Sequence, residues 1–147
     1  LKIKDMIKNE ITETSVSEFL GYYEEEDYQQ LNQWMINDLQ NKGICISKSY
    51  YCPHLPDAPI AKYRKRCNCR KPGIELYLTA QREFDIDMGK SIAIGDKLRD
   101  VAICDMFGMR GYLLANKSEQ TILSNVTPCN NWGEIIQCEE NLKRKRH

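Results

Sequence analysis

Between Glu24 and Lys42, apolar side chains return every third or fourth position, at Tyr28, Leu31, Met35 and Leu39 with Trp34 beside them, while Gln29, Gln30, Gln33 and Asn37 fall elsewhere. That is the period of a helix with one apolar face, and a helix is predicted there. Glu24, Glu25, Glu26 and Asp27 occupy its first turn, where the helix dipole favours negative charge, and Gly43 supplies the stop. Their reading is a helix terminus and not a metal site. Ile44, Ile46 and Tyr50 alternate as a short strand would. Further on, Gly73–Phe84 reads as a helix with Ile74, Tyr77, Leu78 and Phe84 inward, and Ser91–Ile94 as an apolar strand. Leu98, Val101, Ala102 and Met106 mark a helix ending at Gly108, and Arg110–Ala115 a further strand. The stretch SNVTPCNNW reads as turns, and Trp132, Ile135 and Ile136 open a last helix. Residues 1–20 show no clean period: Leu1–Lys8 fits the end of a helix, and Ile11, Thr12, Thr14 and Val16 permit only a weak strand.

Composition narrows the class. The 147 residues are the size of one domain, and acidic and basic residues balance at 21 each, so no global field argues for nucleic acid or an anionic membrane. No apolar run approaches the ~20 residues that span a bilayer, and no signal-peptide pattern opens the chain, which reads as cytoplasmic. Of seven cysteines, Cys45, Cys104, Cys129 and Cys138 read as small, half-buried hydrophobes. The sequence starts at Leu1 instead of methionine, which suggests a fragment.

Candidate chemistry gathers in residues 50–71. Cys52 and His54 form a C-x-H pair, twelve residues follow, and Cys67 and Cys69 form a C-x-C pair. Thiolate and imidazole are the ligands that a tetrahedral, borderline-soft ion such as zinc prefers. Pro53, Pro56 and Pro59 forbid regular structure between the pairs, and an irregular loop of ~15 residues in a compact domain needs a staple or a function. Lys62, Arg64, Lys65, Arg66, Arg70 and Lys71 make a local cationic patch. Arg70 and Lys71 directly follow a ligand, which would hold their backbone and aim them at an anion. The Ile92 strand ends in Gly95-Asp96-Lys97 before a helix, the place where open α/β sheets bind ligands. Asp96 suits magnesium, Lys97 suits phosphate, and Asp100 one turn on either orients the site or stabilises the helix start. The cations at 143–147 read as a solvated tail.

YYCPH, CNCRKP, a helix and SIAIGDKLRDV together resemble the D-glycero-D-manno-heptose bisphosphate phosphatases, and the related histidinol-phosphate phosphatases, of the haloacid dehalogenase superfamily. The resemblance runs from about Gly21 to Leu114. It implies a doubly wound, Rossmann-like α/β fold over 1–147, with a structural zinc held by Cys52, His54, Cys67 and Cys69. It also implies substrate-phosphate contacts from Arg70 and Lys71, facing Asp96, a magnesium ligand, and Lys97 across a phosphate pocket. The implied reaction passes a phosphoryl group from a sugar phosphate to an aspartate and then to water, with magnesium and cations neutralising its oxygens.

Two family motifs depart from the pattern. The nucleophile of the family lies in a D-x-D-G-T sequence after a first strand, and no D-x-D precedes the zinc loop here; Asp85-Ile86-Asp87 reads as polar punctuation between helix and strand. The T-N-Q-S-G motif is eroded to TSVSEFLGYY, where Ser15 or Ser17 would replace the phosphate-binding hydroxyl. Without the nucleophile strand, the strands near Ile44 and Ile92 would lack the neighbour between them. The expectation is a fragment, a chain completed by a partner polypeptide, or a remnant held partly by zinc. Catalysis is then not expected of this chain by itself. A non-catalytic, zinc-stabilised module that binds a phosphorylated ligand or a partner is the other reading.

Overall fold

The computed structural model describes residues 10–15, 25–114 and 123–145, with backbone alone for 10–15. They belong to two compact units, Leu1–Ala80 and Gln81–His147, each with its own parallel sheet.

The first unit pairs strands β1 (Glu10–Ser15) and β2 (Ile46–Cys52) in parallel, with helix α1 (Glu25–Asn41) between them in sequence. The weak pattern at Ile11–Thr14 does form a strand, because β2 supplies the ladder partners that local propensity lacks. Along β2 burial rises toward its end, where Tyr50 and Cys52 are buried. Helix α1 departs from expectation. None of its residues is fully buried, and Leu31 and Trp34 are 63% and 65% exposed. A two-stranded sheet is too narrow to cover the whole stripe, and the helix makes its aromatic contact near its start, where the Tyr28 ring lies 4.8 Å from that of Tyr51. The proline loop is also more ordered than read: Ala61–Tyr63 makes a 3₁₀ turn, Leu55 bridges Arg64, and Ala58 and Tyr63 are buried beneath Tyr28, Tyr51 and Leu55. Helix α2 (Glu75–Phe84) follows, burying Ala80 and leaving Phe84, expected inward, exposed.

In the second unit β3 (Ile92–Gly95), β4 (Arg110–Leu114) and β5 (Val126–Cys129) form a parallel sheet with β4 in the middle. Strand β5 corrects the turn reading of SNVTPCNNW; Pro128 removes one ladder donor, which an edge strand tolerates. The helix read from Leu98 to Met106 is broken at Ala102 into α3 (Leu98–Val101) and α4 (Ile103–Phe107). Val101, Ile103 and Cys104 are buried while Leu98 and Met106 are exposed. Helix α5 (Trp132–Arg144) starts on Asn131, whose side-chain oxygen accepts from the Glu134 N–H at 3.0 Å. Ile135 goes into a cluster with Tyr112 and Cys129, but Trp132 is exposed. Cys104 and Cys129 are buried and Cys138 half-buried, as expected of small hydrophobes, whereas Cys45 is exposed. Among the described residues β2 pairs with β1 alone and β3 with β4 alone, so each is an edge strand of its sheet. No helix among them is long and apolar enough to cross a membrane.

One charged group is built into the second unit. Glu139 on α5 is 5% exposed and accepts from Arg110 Nε and Nη2, both at 3.1 Å, and from Tyr112 Oη at 2.7 Å. Burial and then the Glu139 hydrogen bond push the Tyr112 hydroxyl well above its usual range. Three donors on one carboxylate tie α5 to β4. Glu139→Ala would strand the Arg110 charge and the Tyr112 hydroxyl, and we expect it to cost about 2–4 kcal/mol, read as a lower urea midpoint. Glu139→Gln, which keeps one acceptor, should fall between it and wild type.

Candidate metal and phosphate site

Strand β2 carries Cys52 out of the sheet, and the chain turns at Pro53 so that His54 comes back toward it. The far end of the loop returns Cys67 and Cys69. Cys52 Sγ lies 2.9 Å from Cys69 Sγ and 3.4 Å from Cys67 Sγ, Cys67 and Cys69 are 3.0 Å apart, and His54 Nδ1 is 3.3 Å from Cys69 Sγ. All four ligand atoms lie within 4.8 Å of one another, and among the described residues this is the single such cluster. Three sulfurs and a nitrogen that close can hold a metal ion.

Packing the thiols together separates their acidities. Burial acts first on Cys67 and would raise it, but hydrogen bonds from Cys69 and Cys52, and one from the backbone of Arg70, bring it down to about 6. Cys69 goes far up, through burial and through its two sulfur neighbours, and Cys52 is raised mainly by burial.

The loop holds its shape through contacts of its own. Leu55 N donates to the Tyr63 carbonyl at 3.0 Å, Lys65 N to the Leu55 carbonyl at 3.3 Å, and Arg64 Nε to the Ala58 carbonyl at 2.7 Å. Arg64, read as part of a cationic patch, is therefore tied to the loop backbone. Glu25, on the first turn of α1, accepts from the hydroxyls of Tyr51 and Tyr63. Neither tyrosine stood out in the sequence, because partners 26 and 38 positions apart leave no local pattern.

Arg70 and Lys71 follow Cys69 in a tight turn, half-buried, ahead of a cis Lys71–Pro72 bond. Gly73 N donates to the Arg70 carbonyl at 2.7 Å, and a Cβ at Gly73 would stand 2.1 Å from the Asn68 carbonyl oxygen. Only glycine allows that approach, which fixes the turn bearing both cations. Ser15 ends β1 in register with Cys52, at the same sheet end as the metal cluster; Ser17 lies outside the described residues.

Asp96 and Lys97 stand in the second unit at the carboxyl end of β3, both exposed, with Lys97 Nζ 3.9 Å from Asp96 Oδ2. Asp100 accepts from the Lys97 N–H at 3.0 Å, which stabilises the start of α3. A Cβ on Gly95 would fall 2.2 Å from that of Asp100, so glycine lets α3 begin directly at the strand end. The exposed Asp96 carboxylate is a hard oxygen donor of the kind that magnesium takes. Asp87 accepts from Lys90 N at 3.3 Å and caps a 3₁₀ turn, in keeping with polar punctuation.

Comparison with known proteins matches residues 68–125 to a HAD-hydrolase-like family model. Over those residues the chain is similar to the haloacid dehalogenase-like hydrolases. Its relatives there are heptose bisphosphate phosphatases: a D-glycero-beta-D-manno-heptose-1,7-bisphosphate 7-phosphatase of Photorhabdus laumondii is 48% identical over 81 residues, 55% of this chain and 43% of that protein. The alpha-anomer phosphatase of the same organism is 37% identical over 112 residues, 71% of this chain and 61% of its own length. A Yersinia pestis beta-anomer phosphatase is 34% identical over 114 residues, 78% and 56%. The chain thus spans about half the length of the curated relatives it matches. Among solved structures, the D,D-heptose 1,7-bisphosphate phosphatase of B. bronchiseptica, complexed with magnesium and phosphate, aligns with TM-score 0.69 at 21% identity, over 91% of this chain and 74% of that one. A putative HAD-like phosphatase from Mesorhizobium loti aligns with TM-score 0.73 at 19% identity, over 86% and 62%. At those identities the likeness is one of fold.

The separated thiol acidities can be read directly. In metal-stripped chain at pH 7, iodoacetamide should label Cys67 ahead of Cys52 and Cys69, with the Cys67 rate falling as pH drops through about 6. Peptide mapping by mass spectrometry measures the order; Cys69 reacting first would contradict it.

Proposed function

We propose that this chain supplies the zinc loop and the phosphate-binding side of a magnesium-dependent sugar-phosphate phosphatase of the heptose bisphosphate type. The observation that carries the reading is the Cys52, His54, Cys67 and Cys69 cluster, closed within 4.8 Å and followed at once by Arg70 and Lys71. The three thiols and one imidazole suit zinc, which would scaffold the loop and take no part in the chemistry. A structural zinc in small peptides contributes ~10–16 kcal/mol, enough to offset the ordering of a loop of this length. Thiolate ligation fits a reducing, cytoplasmic setting.

The roles follow from chemistry. Arg70, with a planar fork of donors, and Lys71, a point charge, would bind phosphate in the first unit, and Lys97 is the candidate phosphate cation of the second. Asp96 would hold magnesium, which when bound neutralises charge on the phosphoryl oxygens. Ser15 is the candidate for a further phosphate hydroxyl. With no D-x-D-G-T sequence to provide an aspartate nucleophile, the chain by itself would bind a sugar phosphate without turning it over. A polypeptide that completes the sheet could restore that step.

Three measurements test this. Purified chain should carry about one equivalent of zinc by metal analysis, and Cys67→Ser less than about half. Calorimetry with heptose 1,7-bisphosphate and magnesium should detect binding, weakened roughly tenfold or more by Arg70→Ala or Lys71→Ala, the loss of one charge-assisted contact. Phosphate release should be absent from the chain alone; turnover abolished by Asp96→Ala would refute the missing nucleophile, and no binding at all would refute the ligand.

A further inference from the structure

The metal cluster rests on a contact outside its own loop. Glu25 opens α1 and its carboxylate reaches across to two tyrosines. Oε1 accepts from the Tyr51 hydroxyl, and Oε2 accepts from the Tyr63 hydroxyl at 3.2 Å. Gln29, one turn further along α1, donates from Nε2 to the Tyr51 oxygen at 3.1 Å. Each tyrosine is bonded in sequence or in space to a ligand pair. Tyr51 immediately precedes Cys52. The Tyr63 carbonyl accepts from the N–H of Leu55, which directly follows His54, and the Leu55 carbonyl accepts from Lys65 N, two residues before Cys67. Tyr63 is buried with Ala58, and Tyr28, Tyr51 and Leu55 pack around them.

We propose that Glu25 is a positioning residue for the metal loop: by bridging the Tyr51 and Tyr63 hydroxyls it holds the C-x-H and C-x-C arms at the separation at which they close on one ion. The inference rests on the zinc reading above. Its physical basis is preorganisation, since a loop already ordered by α1 loses less freedom when it binds metal and must break this contact before it can open to release it. A carboxylate serving only the helix dipole would act on α1 alone. The bridge instead couples Glu25 to Tyr63, so the two residues should fail together.

The test uses the whole zinc-loaded chain and follows zinc transfer to a coloured chelator. Glu25→Gln keeps the size of the side chain but turns one of the two acceptor oxygens into an NH2 donor, so it cannot accept on both arms of the bridge, and should release zinc on the order of tenfold faster. Tyr63→Phe should release it faster as well. The double variant should be no faster than Glu25→Gln alone, because both changes cut the same bridge. Far-UV circular dichroism confirms that each variant is folded before it is assayed. A Glu25 that acted on α1 alone, independently of Tyr63, would give additive effects, and additivity overturns the proposal. So does a Glu25→Gln chain that holds zinc as tightly as wild type, an outcome that leaves the zinc reading standing. Wild-type chain that binds no zinc overturns both.

Discussion

Three thiol sulfurs and an imidazole nitrogen within 4.8 Å of one another are the constraint on which the first unit depends. Thiols packed at this spacing oppose one another's ionisation, with Cys67, against its burial, drawn down by hydrogen bonds from its neighbours and Cys69 pushed up by burial and the same sulfurs. A divalent ion removes the conflict by neutralising the thiolates together. The stretch between the two ligand pairs has only a short 3₁₀ turn and one bridge as regular structure, so its conformation is set by Leu55, Tyr63, Arg64 and the closure of its ends.

What the closure positions is the next turn of chain. Arg70 and Lys71 leave Cys69 on a backbone that glycine at 73 allows to fold tightly against Asn68. Two side chains that would otherwise sample many rotamers thus start from a fixed base, the arrangement that makes cations useful for holding a phosphate. In the second unit the equivalent device is Gly95, whose missing Cβ lets α3 begin at the strand end and sets Asp96 and Lys97 at the carboxyl edge of β3. The Glu139 carboxylate, buried between Arg110 and Tyr112, locks the α5 side of that unit. Both units put their candidate chemistry where a strand ends and leave the opposite side to packing.

Helices α1, α2 and α5 and strands β2, β3 and β4 were legible from periodicity, because an apolar stripe or alternation is written in adjacent residues. Strand β5 was not, since Thr127 and Pro128 look like a turn until β4 supplies the parallel partner. Phe84, read as inward, and Leu31, on the apolar stripe of α1, are exposed. A period says that a face exists, and only a neighbour of sufficient width decides how much of it is buried.

The sequence by itself determined the ligand set, the two cations after it, the Gly-Asp-Lys end of β3 and the departure from the nucleophile motif, because each is a short run whose chemistry and spacing are local. Only the tertiary structure decided that the four ligands converge and that Asp100 accepts the Lys97 N–H at the start of α3. The same holds for the grip of Glu25 on Tyr51 and Tyr63 from 26 and 38 residues away. Those are contacts between segments, and their partners are chosen by how the backbone brings distant residues together, which no local pattern of side chains records.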